Sequence, residues 1–230
     1  MNYLLPLLSV LLGYAIALFI KPQNKANLKL LLAFSGAFLL SLTVMHLLPE
    51  VYENSHSDGP HGHSHTTGIF IMIGILFQII LEFFSKGAEH GHVHGHNEMS
   101  KMPWLLFLSL CIHAFLEGFP VGHHHDLAIG IAIHHLPIAI ILTSFFVNAK
   151  LNKKIIFVFM VAFALMTPLG TAFSQFFPRL NAYHNEITAV VIGILFHISS
   201  TIIFETTEGH KFNIAKIMMI ILGIILACFI

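Results

Sequence analysis

Eight apolar stretches of roughly twenty residues each divide this 230-residue chain. They cover residues 4–20, 28–48, 68–84, 103–121, 126–147, 153–175, 186–205 and 212–230. An α-helix needs roughly 17–25 apolar residues to cross a bilayer core of about 30 Å. Runs such as Ile69–Phe77 are apolar on every face, whereas the strands of a membrane barrel alternate. The sequence therefore predicts an all-α polytopic membrane protein, with residues 1–230 forming a single domain of eight transmembrane helices.

The composition agrees with a chain surrounded by lipid. Hydrophobic residues make up 56% of the chain and charged residues only 10%, against about 25% charged residues in an average soluble protein. Eleven basic and eleven acidic residues give a net charge of zero, so no basic surface for nucleic acid is predicted. Cys111 and Cys228 both lie in apolar runs, which predicts neither a disulfide framework nor a cysteine-based zinc site.

The basic residues predict the orientation of the helices. Nearly all of them lie on one face of the predicted bundle: Lys21, Lys25, Lys29, Lys86, Lys101, Lys150, Lys153, Lys154, Lys211 and Lys216. Only Arg179 falls on the other face. Because basic residues collect on the cytoplasmic side of a membrane, both termini are predicted to lie outside the cytoplasm. The predicted location is a cell membrane, either a plasma membrane or an inner membrane. No positive charge precedes the first span, so we expect a retained helix rather than a cleaved signal peptide.

Histidine is over-represented, with 18 residues, and many of them lie in two connecting loops. The outer loop, 54–66, contains His61, His63 and His65. The cytoplasmic loop, 86–102, contains His90, His92, His94 and His96. Gly, Ser and alternating His cannot build a core, while neutral imidazole is a common ligand for zinc and related metals. Both loops are therefore predicted to bind metal, with a merely polar linker as the alternative.

Ionisable residues also lie inside the apolar spans, where they are functional candidates. His113 and Glu117 are four residues apart in the fourth span and so share a helix face. A hydrogen-bonded pair that joins helices would explain these two residues equally well. In the fifth span, however, His134 and His135 precede Pro137, which predicts a kink. Four ligand-type groups in two adjacent helices favour a pathway for a metal cation.

Other spans carry weaker signals. His46 and Glu50 close the second span at its outer end, again four residues apart, and are predicted to form an outer entrance for metal. His197 and Glu205 in the seventh span are further candidate ligands, and Pro168 predicts a kink in the sixth. Ordinary helix packing is the alternative for the sixth and seventh spans.

These motifs resemble those of the ZIP (Zrt-, Irt-like protein) family of divalent-metal transporters. The similar motifs are His-x-x-x-Glu-Gly in the fourth span, His-x-Leu-Pro in the fifth, His-Leu-Leu-Pro-Glu in the second and Pro-Leu-Gly in the sixth. The resemblance implies a 3+2+3 helix arrangement with inverted-repeat symmetry and a metal site between the fourth and fifth helices. It further implies a homodimer that moves Zn²⁺, with Fe²⁺ or other divalent cations as further candidates, into the cytoplasm.

By position, His113, Glu117 and His134 match ligands of the main transport site of that family. Ile138 stands where a further Glu or His ligand is usual. Ala114, His135 and Thr167 replace residues of a second, adjoining metal site in other members. The resemblance therefore implies either that this second site is lost or that it is rebuilt around His135. A site with more imidazoles and fewer carboxylates favours zinc over Mn²⁺ or Mg²⁺.

Two other classes of function compete with transport. An integral-membrane oxygenase or desaturase also uses many histidines, but its clusters must gather on one face, whereas here they extend across the membrane. His-Glu-x-x-His is absent from the sequence, which disfavours a metalloprotease. No sequence feature excludes a metal sensor or storage protein that binds metal without transporting it, and none distinguishes an importer from an exporter. We therefore predict a transporter rather than an enzyme, with metal as its substrate and no organic cofactor.

Overall fold

The computed structural model describes residues 4–20, 25–55, 63–85, 104–122, 125–205 and 214–229, and their secondary structure is helical, without strands. Helix α1 is Leu4–Ile20. Helix α2 has three consecutive parts, Lys25–Leu42, a π-helical turn at Thr43–Leu47, and Leu48–Ser55. The others are α3 (His63–Ser85), α4 (Trp104–Val121), α5 (His125–Asn148), α6 (Lys153–Phe176), α7 (His184–Glu205) and α8 (Ile214–Ala227), with a 3₁₀ turn at Pro178–Tyr183.

Each predicted span overlaps one of these helices, although several of the ends differ. Five segments are long and apolar enough to cross a membrane, by length and composition: Asn27–Glu53, His65–Phe83, Asp126–Asn148, Lys153–Phe176 and His184–Phe204. Leu4–Ile20, Phe107–Val121 and Ile214–Ala227 are apolar but shorter. The all-helical, polytopic class predicted from the sequence is confirmed.

Helix α2 continues beyond its apolar stretch because a π-helical turn carries the backbone past a proline. Pro49 has no N–H to donate to the carbonyl four residues earlier, and its ring crowds that carbonyl. The turn Thr43–Leu47 precedes it, and the N–H of Leu48 donates to the carbonyl of Thr43, five residues back. The helix then runs on to Ser55, so it extends into the predicted outer loop. At the other end of that loop, α3 begins at His63.

Helix pairs that are distant in sequence pack most closely, and glycine permits the close approach. The main pairs are α1 with α5, α4 with α6, α3 with α7, and α2 with α8. A Cβ atom added to Gly170 of α6 would lie 1.9 Å from the carbonyl oxygen of Phe115 in α4. At Gly74 of α3 it would lie 2.0 Å from the carbonyl oxygen of Val190 in α7. Small residues of this kind are typical of helix interfaces in membranes.

Interhelical hydrogen bonds supplement this packing. The hydroxyl of Thr171 in α6 donates to the carbonyl of Gly118 in α4 at 2.7 Å. Ser9 of α1 donates to the carbonyl of Ala132 in α5. Bonds of this type contribute about 0.6 kcal/mol each in membrane proteins, so shape complementarity dominates the association.

Burial places α5 in the interior of the bundle and α3 at its periphery. In the most apolar window of each helix, 67% of the α5 residues are buried, compared with 22% of those in α3. The outward face of α3 presents large apolar side chains, including Ile69, Met72 and Leu76. A helix that is apolar all round and covered on one side only is suited to contact with lipid. The candidate ligands on α5 are thus enclosed by protein.

Candidate metal centre

Three predicted ligands from α4 and α5 come together in the buried interior. His113, Glu117 and His134 each offer one ligand atom, and these atoms lie within 4.8 Å of one another. The side chains are 2%, 0% and 0% exposed, respectively. Two imidazole nitrogens and one carboxylate oxygen form a donor set that suits Zn²⁺, which binds them at about 2.0–2.2 Å. The spacing of the three groups is wide enough for one ion with modest side-chain adjustment.

Glu117 is the centre of this arrangement because its two carboxylate oxygens face different imidazoles. Oε1 lies 3.0 Å from Nε2 of His113, one turn earlier on α4. Oε2 accepts a hydrogen bond from Nε2 of His135 on α5 at 3.1 Å. His135 is 1% exposed. The i, i+4 spacing on α4 therefore brings His113 to Glu117, and α5 supplies the two further imidazoles of His134 and His135.

Packing holds the rings around the carboxylate. The Nδ1 atom of His134 lies 3.4 Å from the hydroxyl of Ser35, a fully buried residue of α2. The centroid of the His135 ring lies 5.3 Å from that of Phe163 on α6. Partners that fix the orientation of a ligand ring are a general requirement of metal sites. Helices α2, α4, α5 and α6 thus all contribute to the shape of the centre.

The backbone of α5 passes through the site as an uninterrupted helix. It runs from His125 to Asn148 with Pro137 inside it, two residues after His135. The proline withholds one hydrogen bond from the carbonyl of Ile133. Because adjacent residues on a helix point about 100° apart, His134 and His135 reach the carboxylate from different directions. The adjacent histidines consequently make different contacts.

A separate cavity of about 270 Å³ lies where the end of α2 meets the start of α5. His46 and Glu50, the predicted outer-entrance residues, both line it, together with Glu53 and Asp126. Nε2 of His46 also lies 3.3 Å from the carbonyl oxygen of Ala227 at the end of α8. The cavity is polar and acidic, as a surface that attracts cations would be.

His197 makes a contact that the sequence did not predict. Its Nε2 lies 2.7 Å from Oε2 of Glu82 on α3, and both side chains are partly exposed. The sequence named Glu205 of the same helix as another candidate ligand, and the side chain of Glu205 lies outside the described residues. Glu82 is an ionisable residue within an apolar span, so the rule that identified His113 and Glu117 also identifies it. Ser35 carried no such signal, because serine is common in membrane helices.

The His-rich loops fall largely outside the described residues. This applies to His61 and to His90, His92, His94 and His96. The side chain of His63 is likewise not described, although the residue begins α3. His65 lies on α3, is exposed, and lines a wide groove with Tyr52 and Gly68. The metal-binding role of both loops therefore stays a prediction.

Comparisons with known proteins give a consistent result. The family model described as "ZIP Zinc transporter" matches residues 3–103, which include α1, α2 and α3 and end one residue before α4. Zinc transporter SLC39A7 of Rattus norvegicus is 32% identical over 86 residues, covering 33% of this chain and 18% of that protein. Zinc transporter ZIP1 of Danio rerio is 22% identical over 192 residues, covering 64% of each chain.

The aligned residues therefore span less than a fifth of the SLC39A7 protein and about two-thirds of ZIP1. The buried group of His113, Glu117 and His134 lies beyond the residues that the family model matches. Its metal-binding donor set is therefore an observation independent of that match. Taken with the polytopic helical architecture, these matches make the chain similar to ZIP zinc transporters over part of its length.

Proposed function

We propose that the protein transports a divalent metal cation across a membrane, and that the ion binds between α4 and α5. The observation that carries the proposal is the group His113, Glu117 and His134, which is buried among apolar helices and whose ligand atoms lie within 4.8 Å of one another. Ionisable groups at such a depth are costly and mark ion pathways. The named relatives are zinc transporters, which agrees with transport rather than catalysis.

Zinc is the cargo that the donor set favours. Imidazole nitrogen suits Zn²⁺ and other borderline metals, whereas Mg²⁺ and Mn²⁺ prefer sites rich in carboxylate and carbonyl oxygen. The group contains two imidazoles and one carboxylate. Fe²⁺ is compatible with the same donors. No organic cofactor is needed for this chemistry.

The cavity lined by His46, Glu50, Glu53 and Asp126 supports an entrance on the outer side. The orientation inferred from the basic residues places this end of α2 outside the cytoplasm. Movement would then run from the cavity to the buried group and on to the cytoplasm, where the histidines of 86–102 receive the metal. His197, Glu82 and Glu205 lie on the helix pair α3 and α7 and are assigned a secondary role.

The packing supports a 3+2+3 inverted-repeat layout. Exchanging α1 with α6, α2 with α7, α3 with α8 and α4 with α5 converts the pair α1–α5 into α6–α4. The same exchange converts α3–α7 into α8–α2, and all four pairs are among the closest in the bundle. Both termini lie outside the cytoplasm in this arrangement. We further propose that the unit is a homodimer in a plasma or inner membrane.

The test is metal flux through the purified protein. We expect zinc added outside liposomes that contain the protein to reach a trapped zinc-sensitive dye faster than in protein-free liposomes. A sensor or an oxygenase would bind zinc without producing a dye signal, so bound metal with no flux would exclude transport. Direction is read separately, in zinc-depleted cells with a cytoplasmic zinc reporter, where uptake predicts a rising signal after expression.

The two loops are expected to affect transport differently. Replacing His90, His92, His94 and His96 by Ser should leave the initial uptake rate largely intact, because this loop follows the hydrocarbon path. Replacing His61, His63 and His65 should raise the half-saturating zinc concentration and spare the maximal rate, because it removes capture at the entrance. Initial rates measured over a range of zinc concentrations distinguish the two effects. Loss of initial uptake in the cytoplasmic-loop variant would contradict this division of roles.

A further inference from the structure

The two oxygens of Glu117 differ in a way that separates His135 from the other imidazoles. Oε2 accepts the hydrogen bond from Nε2 of His135 at 3.1 Å. Oε1 lies 3.0 Å from Nε2 of His113, a member of the ligand group. Two donor atoms of one zinc ion lie at a similar separation, because each binds the ion at about 2.0–2.2 Å. Oε1 is therefore the oxygen placed to join the ligand group, while Oε2 is occupied by His135.

This contact decides which ring nitrogen of His135 donates the hydrogen bond. A carboxylate oxygen can only accept, so Nε2 of His135 must carry the hydrogen. In the neutral ring the lone pair is then on Nδ1. Nδ1 is buried and has no hydrogen-bond partner among the described residues. A nitrogen that donates to Glu117 has no lone pair to give to a metal, and the ligand group described above does not include His135.

Among the described residues, His113, Glu117 and His134 form the one group of three or more candidate metal ligands, and it leaves out His135. The His135 ring packs against Phe163, and the buried residues Ala114 of α4 and Thr167 of α6 carry no charge. Glu117 is the single carboxylate of the described ligand group. One carboxylate offsets only half the charge of one divalent ion, so a second ion in the same buried place would leave a large uncompensated charge. The charge of the group therefore favours a single ion.

We propose that His135 is a positioning residue, which holds Oε2 of Glu117 so that Oε1 meets one metal ion together with His113 and His134. This inference rests on the proposed function, since it needs the buried group to bind metal. A glutamate side chain has three rotatable bonds, and fixing one oxygen in a buried site restricts the direction of the other. The hydrogen bond from His135 thus pre-organises a monodentate ligand for a single ion.

Three substitutions of His135 separate positioning from ligation. His135→Gln places an amide N–H near the position of the imidazole Nε2, whereas the shorter His135→Asn reaches only to the level of Nδ1. His135→Ala removes the donor. We expect the Asn and Ala variants to bind zinc about 10–100-fold more weakly than wild type, and the Gln variant to stay within roughly threefold of it. Affinity is measured by competition with a chromophoric chelator, in full-length protein whose loop histidines are replaced by Ser.

His113→Gln and His134→Gln are the matched controls. Because these residues give a nitrogen lone pair to the ion, glutamine should not rescue them, and each Gln variant should bind as weakly as its Ala counterpart. X-ray absorption spectroscopy counts the imidazole ligands of the bound zinc. A residue that only stabilises the fold would not change this number. We expect two imidazole ligands in wild type and the same two in His135→Gln.

Three imidazoles around zinc in wild type, or a His135→Gln variant as weak as His135→Ala, would overturn the positioning role and make His135 a ligand. Two zinc ions bound at the buried group in the loop-substituted protein would overturn the single-ion site. These results differ from a failure of the proposed function. In that case Glu117→Ala would bind zinc as tightly as wild type, because no buried metal site would exist.

Discussion

Replacing Glu117 by Gln is expected to reduce zinc uptake by on the order of 100-fold or more, while the protein remains folded in the membrane. The substitution preserves the shape of the side chain and removes its charge. Glu117 is fully buried and is the single carboxylate of the described ligand group. A Zn²⁺ ion that entered would meet only neutral donors in a medium that screens charge poorly. Binding and passage should both fail.

Initial uptake into dye-loaded liposomes measures this effect, with gel filtration as the check on folding. Glu117→Ala should fail equally, which would attribute the loss to charge rather than volume. Glu186→Gln is the matched control, because this carboxylate lies in the first turn of α7 and outside the ligand group. Uptake by Glu117→Gln at the wild-type rate, at equal protein levels, would exclude the proposed path.

The second large effect is expected from Gly170→Ala. The added Cβ would lie 1.9 Å from the carbonyl oxygen of Phe115, a distance that backbone atoms cannot accept. Helices α4 and α6 must then separate, which breaks the hydrogen bond from Thr171 to Gly118. Overpacking of this kind costs about 1–3 kcal/mol. Because α4 also carries His113 and Glu117, zinc affinity should fall together with stability.

Gly68→Ala provides the comparison within the same chain. Its Cβ would lie 3.6 Å from the hydroxyl of Tyr52, an ordinary contact, so thermal stability should hold or rise slightly. Stability is measured by heating the detergent-solubilised protein and recording the monodisperse fraction by fluorescence-detected gel filtration. A Gly170→Ala protein that survives to the same temperature as Gly68→Ala would show that the α4–α6 contact is less tight than described.

The sequence predicted the existence of the helices well, because the apolar composition of each span indicates that lipid or protein, and not water, surrounds it. It predicted the ends poorly. The second span was predicted to end at residue 48, where apolar residues give way to Pro49 and Glu50, yet the helix continues to Ser55. Hydropathy reports where the apolar environment stops, whereas backbone hydrogen bonds decide where a helix stops. A π-helical turn reconciles the two, and a sequence pattern does not reveal one.

The candidate site divides in the same way between local and distant information. The shared face of His113 and Glu117 follows from their i, i+4 spacing alone. That His134 joins this pair, while His135 contacts the far oxygen, depends on the rotation of α5 against α4, which no local pattern specifies. The contact of His197 with Glu82 joins residues 115 positions apart and was missed for the same reason. The sequence identified most of the candidate ligand residues, and the packing of the helices determines which of them contact one another.

The pairing of helices through glycine also determines when the molecule can become stable during synthesis. None of the close pairs joins helices that follow each other directly in the sequence. The later member of each pair must be synthesised before the pair can form, and the pairs are α1 with α5, α4 with α6, α3 with α7 and α2 with α8. The first three helices therefore leave the ribosome long before their partners exist, and they must persist in the bilayer as separate apolar rods. The last of these partners to be synthesised is α8, Ile214–Ala227. Assembly of the bundle thus begins once α5 is inserted and finishes only after α8 has followed it.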